Sequence, residues 1–143
     1  QMCIRDRESS VKIKKINEQL SVADQILPKD VSDIVKAGFK SIVCNRPDAE
    51  VPGQPAFKDI EQAAIKANVP IRYLPAVSGA VTPELGQEFG QILEELPQPV
   101  LAYCRSGMRC TTLWALANAK KMDRASIVQT AANAGYDISA ISL

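Results

Sequence analysis

One short segment holds the residue types that could do covalent chemistry: Cys104-Arg105-Ser106-Gly107-Met108-Arg109. A free thiol titrates near ~8.5 and is mostly protonated at neutral pH. A helix N-terminus and an adjacent guanidinium both favour the thiolate, and such settings bring the pKa to roughly 3.5–7.5. Successive backbone N–H groups of a tight loop, here Arg105, Ser106, Gly107 and Met108, can cradle an oxyanion. Gly107 permits the positive φ such a loop needs. Arg109 can grip two oxygens of one anion. The chemistry is that of a nucleophile, Cys104, aimed at an anionic group. A plainer reading is a buried cysteine beside a turn with both arginines in solvent. The coincidence of strand, Cys, Ser-Gly, Arg and helix favours catalysis.

The rest of the composition narrows the chemistry further. The chain has no histidine, which removes Ser-His-Asp and Cys-His catalysis and most zinc sites. Cys3, Cys44, Cys104 and Cys110 lack metal-site spacing, and no cofactor is required when cysteine supplies the nucleophile and Arg109 the charge. The net charge of +1 over 143 residues argues against a nucleic-acid or membrane partner, so recognition of a small anionic substrate must be local. The absence of a signal-like or membrane-length apolar run points to a cytoplasmic, thiol-reducing setting.

The elements that must position Cys104 follow from apolar periodicity. Val100–Tyr103 reads as a short buried strand leading into the loop, and a helix runs from about Arg109 to Lys121. Upstream, Lys12–Ile26 reads as one or two strands, Pro28–Ala37 as a helix stopped by Gly38, and Lys40–Cys44 as a buried strand. A helix over Ala56–Ala67, a strand over Ile71–Leu74, a helix capped by Thr82-Pro83 and a last helix over Arg124–Ala134 complete the pattern. Residues 1–11 read as a disordered lead-in and residues 12–143 as one domain. Alternating strands and helices predict an α/β fold, a mostly parallel central sheet flanked by helices on both faces. Ligands bind at the carboxyl ends of such strands. Three loops leave that edge: Asn45–Pro55, Pro75–Val81 and Cys104–Cys110.

Tyr103-Cys104-Arg105-Ser106-Gly107-x-Arg109, followed by Thr111-Thr112-Leu113-Trp114, resembles the phosphatase-like domain of bacterial beta-lactamase-hydrolase-like proteins. Asn45-Arg46-Pro47-Asp48, Leu74-Pro75 with Gly79 and Thr82-Pro83, and Ala134-Gly135-Tyr136-Asp137 carry the resemblance across nearly the whole chain. It implies a protein-tyrosine-phosphatase-like fold of the dual-specificity type. Fused relatives imply, by analogy, a metallo-hydrolase partner.

The chain departs from the dual-specificity pattern in three places. Four residues, not five, separate Cys104 from Arg109, as in rhodaneses; Tyr103 stands where a histidine is usual; and Ser78 stands near the position of the general-acid aspartate. A serine hydroxyl is too weak an acid for that task. Asp48 is the alternative acid, or else the centre of an Asx-turn after Pro47. Arg46 could add charge to the site, or pair with Glu50 at the surface. Cys110 replaces the Ser or Thr that stabilises the leaving thiolate, with Thr111 or Thr112 as substitutes. Alternatively, Cys110 or Cys44 could close a disulfide on an oxidised Cys104, or simply pack beside the loop. Three functions stay open: a phosphatase with a Cys104 thiophosphoryl intermediate, a rhodanese-like sulfurtransferase with a Cys104 persulfide, and a non-catalytic module binding an anion or phosphoprotein.

Overall fold

The computed structural model of the chain describes residues 2–3 and 11–143. The expected disordered lead-in, residues 1–11, therefore falls largely outside the described residues. Of it, Met2–Cys3 form a two-residue strand, β1, and Val11 is buried.

Lys12–Ile26 resolves into two strands, β2 (Lys12–Lys15) and β3 (Leu20–Ala23), joined by a turn in which Asn17 Oδ1 accepts from the Gln19 and Leu20 amides. The helix expected over Pro28–Ala37 is a 3-10 turn, Pro28–Asp30, followed by a short α1, Val31–Lys36. Proline supplies the first turn, and Asp30 Oδ2 accepts from the Leu27 amide. Then come β4 (Ser41–Cys44), α2 (Phe57–Lys66), β5 (Ile71–Tyr73), α3 (Pro83–Glu95), β6 (Val100–Tyr103), α4 (Met108–Ala117) and α5 (Arg124–Asn133). Thr82 caps α3 as expected, its Oγ1 accepting from the Leu85 amide at 3.2 Å. Helix α4 stops at Ala117, short of the expected Lys121, where Asn118 bonds back to the Trp114 carbonyl and the chain turns.

The sheet order is β1-β2-β3-β6-β4-β5. The pairs β3–β6, β6–β4 and β4–β5 are parallel, while β1–β2 and β2–β3 are antiparallel. β3, β4 and β6 are buried along their whole length, which is why they read as continuous apolar runs. β5 is the partly exposed edge. One core packs α3, α4 and α5 on Val22, Val43, Val100 and Ala102; the other packs α1 and α2 on Ala23, Ile42, Leu101 and Tyr103. Ala23, Cys44 and Tyr73 come level with Tyr103 or one another in the register, so the loops after β4, β5 and β6 leave from one edge. Among the described residues no helix is long and apolar enough to cross a membrane.

Candidate active site

Cys104 follows directly on β6, the strand hydrogen-bonded on both sides, and its own amide donates to the Ala23 carbonyl at 3.2 Å. Helix α4 begins four residues later. Gly107 makes the bend between them, with φ +93°. A side chain there would strain the backbone, and its Cβ would lie 2.2 Å from the Tyr136 hydroxyl. That hydroxyl donates to the Ser106 carbonyl at 2.9 Å. Tyr136, beyond α5, thus closes over the loop, a part that sequence reasoning did not assign to it.

The Cys104 sulfur is fully buried, yet its pKa is pulled down to about 5. The S–H of Cys110 leads, opposed by burial; the amides of Cys110, Ser106 and Gly107 add to it. The Gly107 amide lies 3.0 Å from Sγ. The guanidinium, expected together with the helix N-terminus to favour the thiolate, contributes less than these hydrogen bonds. Cys110 itself is driven well above the usual thiol range by burial and by the Cys104 charge, so it stays a neutral donor. Thr111 and Thr112 do not substitute for it: their hydroxyls bond back to the Gly107 and Met108 carbonyls, each at 2.9 Å. Cys44 is also pushed up, to about 11, by burial, and its Sγ lies 3.3 Å from the Arg46 carbonyl. Tyr103, buried between the strands, is raised by burial and by Cys44. Among the described residues Cys44, Cys104 and Cys110 are free of disulfides.

Arg109 is held by a residue sequence reasoning placed elsewhere. Its Nη1 donates to Glu50 Oε2 at 2.7 Å and to the Ala76 carbonyl at 2.8 Å, and its Nη2 donates to Glu50 Oε1 at 2.9 Å. A guanidinium carries five N–H donors in a plane. Three are used here. Among the described residues none accepts from the two left, on Nε and Nη2, which share the side edge of the fork, a geometry able to grip an oxyanion. Glu50 therefore fixes the plane of Arg109 without filling its anion-binding edge.

Glu50 is itself clamped. Arg46 Nε donates to Oε1 at 2.9 Å while Arg46 Nη1 donates to Gln25 Oε1 at 3.0 Å. The Arg46 side chain is 5% exposed, Arg109 12% and Glu50 23%. The hydrogen bond from Arg109, then that from Arg46, bring the Glu50 carboxyl down to about 2. Arg46 thus reaches the site through Glu50; the pair expected at the surface is half of an Arg-Glu-Arg bridge that is buried at its Arg46 end. Its only sequence signal was the Arg46-x-x-x-Glu50 spacing within the first loop.

Asn45 ties the loops together: its amide donates to the Tyr103 carbonyl, its side chain to the Leu74 carbonyl, and its own carbonyl accepts from the Ala76 amide. That holds Ala76 where Arg109 needs it. Asp48 is exposed; its Oδ1 accepts from the Phe57 amide at 2.8 Å, satisfying the start of α2 instead of forming an Asx-turn. Its own amide donates to the Tyr73 hydroxyl at 3.1 Å. Ser78, Met108 and Arg109 line an open groove of about 470 Å³ with Gly79, Val81 and Thr112. Arg105 and Ser106 face a second cleft on the other side of the loop. A cavity of about 720 Å³ along α3 and α4 holds none of these groups.

The sequence profile of the family "Beta-lactamase hydrolase-like protein, phosphatase-like domain" matches residues 12–121. A beta-lactamase hydrolase-like protein of Agrobacterium fabrum is 33% identical over 132 residues, 91% of this chain and 31% of that protein. The chain spans about a third of that relative's length, and a quarter of a Xylella fastidiosa relative that is 34% identical over 107 residues. The crystal structure of a putative phosphatase from Neisseria meningitidis superposes with a TM-score of 0.81 at 34% identity, covering 90% of this chain and 92% of that one. Kinase associated phosphatase, crystallised with its catalytic-site cysteine replaced by serine, shares the fold at a TM-score of 0.67 and 12% identity, covering 90% of this chain and 86% of that one.

Proposed function

The chain belongs to the phosphatase-like domain family of beta-lactamase hydrolase-like proteins, and from that premise we propose that it hydrolyses a phosphoester through Cys104. One observation carries the reading: a thiolate held near pKa 5 stands beside an arginine whose side-on fork no described residue fills. The Cys104 sulfur attacks phosphorus as the bond to the leaving oxygen breaks, giving a thiophosphoryl enzyme. Arg109 and the loop amides carry the charge of the phosphoryl oxygens. The leaving oxygen takes a proton from Asp48, whose Oδ2 is not engaged in the α2 contact. Water then adds to phosphorus, phosphate departs, and the thiolate is received back by the Cys110 S–H and the amides. No cofactor enters these steps.

The four-residue spacing between Cys104 and Arg109 favours a second reading, sulfur transfer, in which Cys104 carries a persulfide and no acid is needed. Parent and Cys104→Ser proteins assayed with an aryl phosphate, and with thiosulfate plus cyanide, separate the two. Phosphate release that Cys104→Ser abolishes is the expected result. Thiocyanate formation without phosphate release overturns it.

A further inference from the structure

We propose that the cleft on the far side of the Cys104 loop binds a second phosphate group, so that the substrate is a small molecule carrying two phosphates. The inference deepens, and rests on, the phosphatase reading. The cleft holds about 250 Å³ and is lined by Lys12, Lys14, Asp24, Arg105, Ser106 and Tyr136. Lys12 and Lys14 alternate along β2 and so share one face. Arg105 is the residue after the nucleophile. One loop therefore forms both the nucleophile's cradle and a wall of the cleft.

Charge is concentrated there against the average of the chain. The net charge is +1 over all 143 residues, yet this cleft sets three cations against one carboxylate. That carboxylate, Asp24, accepts from the Lys12 backbone amide at 3.4 Å. Among the described residues none of the three cationic side chains makes an ion pair; the bridges lie elsewhere, at Lys15–Glu18, Arg46–Glu50, Arg72–Glu95 and Arg109–Glu50. Lys14 is also held in place: its Nζ sits 5.4 Å from the centre of the Tyr136 ring. The same tyrosine bonds the Ser106 carbonyl. A cation tethered to the loop's lock stands ready for an anion at little further ordering cost.

The test reads binding, not turnover. Calorimetry on the Cys104→Ser protein compares inorganic phosphate with alkane bisphosphonates of two to four carbons. At least one bisphosphonate is expected to bind 10-fold or more tightly than phosphate, with an advantage that shrinks as salt rises. In Lys12→Gln/Lys14→Gln the advantage should fall to about twofold while phosphate affinity holds; Lys15→Gln, whose lysine pairs with Glu18, should leave both unchanged. Equal affinity for phosphate and every bisphosphonate overturns the proposal, as does an advantage that survives the double substitution. Failure of the phosphatase reading shows separately, as absence of Cys104-dependent phosphate release from an aryl phosphate.

Discussion

At the scale of single residues, the acidity of Cys104 is a hydrogen-bond property. With Cys104 near pKa 5, alkylation by iodoacetamide should rise with pH through about 5 and level off above it. Because the folded value lies below the unfolded one, the ionised thiol favours folding fully above ~8.5, and that contribution is lost as pH falls to about 5. Cys110→Ala removes the leading donor and should move the alkylation midpoint up by roughly one to two pH units, the worth of a hydrogen bond to a charge; Cys110→Ser should stay near the parent. An unmoved midpoint in Cys110→Ala would remove Cys110 from the account. In the proposed mechanism Glu50 acts through Arg109, as a positioning residue. Its carboxyl, near 2, stays ionised across the working range, so the acid limb of a rate profile belongs to Cys104. Glu50→Gln should cost roughly 10–100-fold in kcat/KM on an aryl phosphate, mostly in KM, with Glu50→Asp recovering part. A loss confined to kcat would contradict that role.

At the scale of elements, the loops are held by contacts distant in sequence. Asp48 serves α2 through Oδ1 and is assigned the proton through its other oxygen. Asparagine keeps the first and loses the second. Asp48→Asn should therefore leave thermal stability within about 0.5 kcal/mol, while Asp48→Ala loses about 1 kcal/mol; both should slow alkyl phosphates far more than aryl phosphates with acidic leaving groups. Equal rates for Asp48→Asn and the parent on an alkyl phosphate would exclude Asp48 as the acid. Local signals were legible in the sequence: the Thr82-Pro83 cap, the Ser106-Gly107 bend, the buried runs of β4 and β6. What was not legible lies between elements. Glu50 meets Arg109 across 59 positions, and Tyr136 meets Ser106 across 30; neither leaves a periodicity or a turn signature. The short α1 escaped too, because Pro28 suits a 3-10 turn as well as a helical one.

At the scale of the molecule, the alternation of strands and helices was enough for an α/β class with helices on both faces, but not for the order β3-β6-β4, which depends on packing rather than pattern. That order sets the site's rigidity apart from the fold's stability. Ile34 on α1 is fully buried in the core opposite α4. Ile34→Ala should destabilise the chain by about 2–5 kcal/mol and lower the Tm by roughly 2–4 °C for each kcal/mol, as calorimetry would read. The midpoint of Cys104 alkylation should not move below the new Tm; a moved midpoint would mean the α1 face sets the nucleophile's environment. Tyr136 carries a last consequence, one of time. A chain is made from its N-terminus, and domains form as their parts emerge. The thiolate loop leaves the ribosome 30 residues before the hydroxyl that holds the Ser106 carbonyl. During synthesis the Cys104 loop and the donors of its low pKa thus emerge together, while the hydroxyl that closes over the loop arrives last.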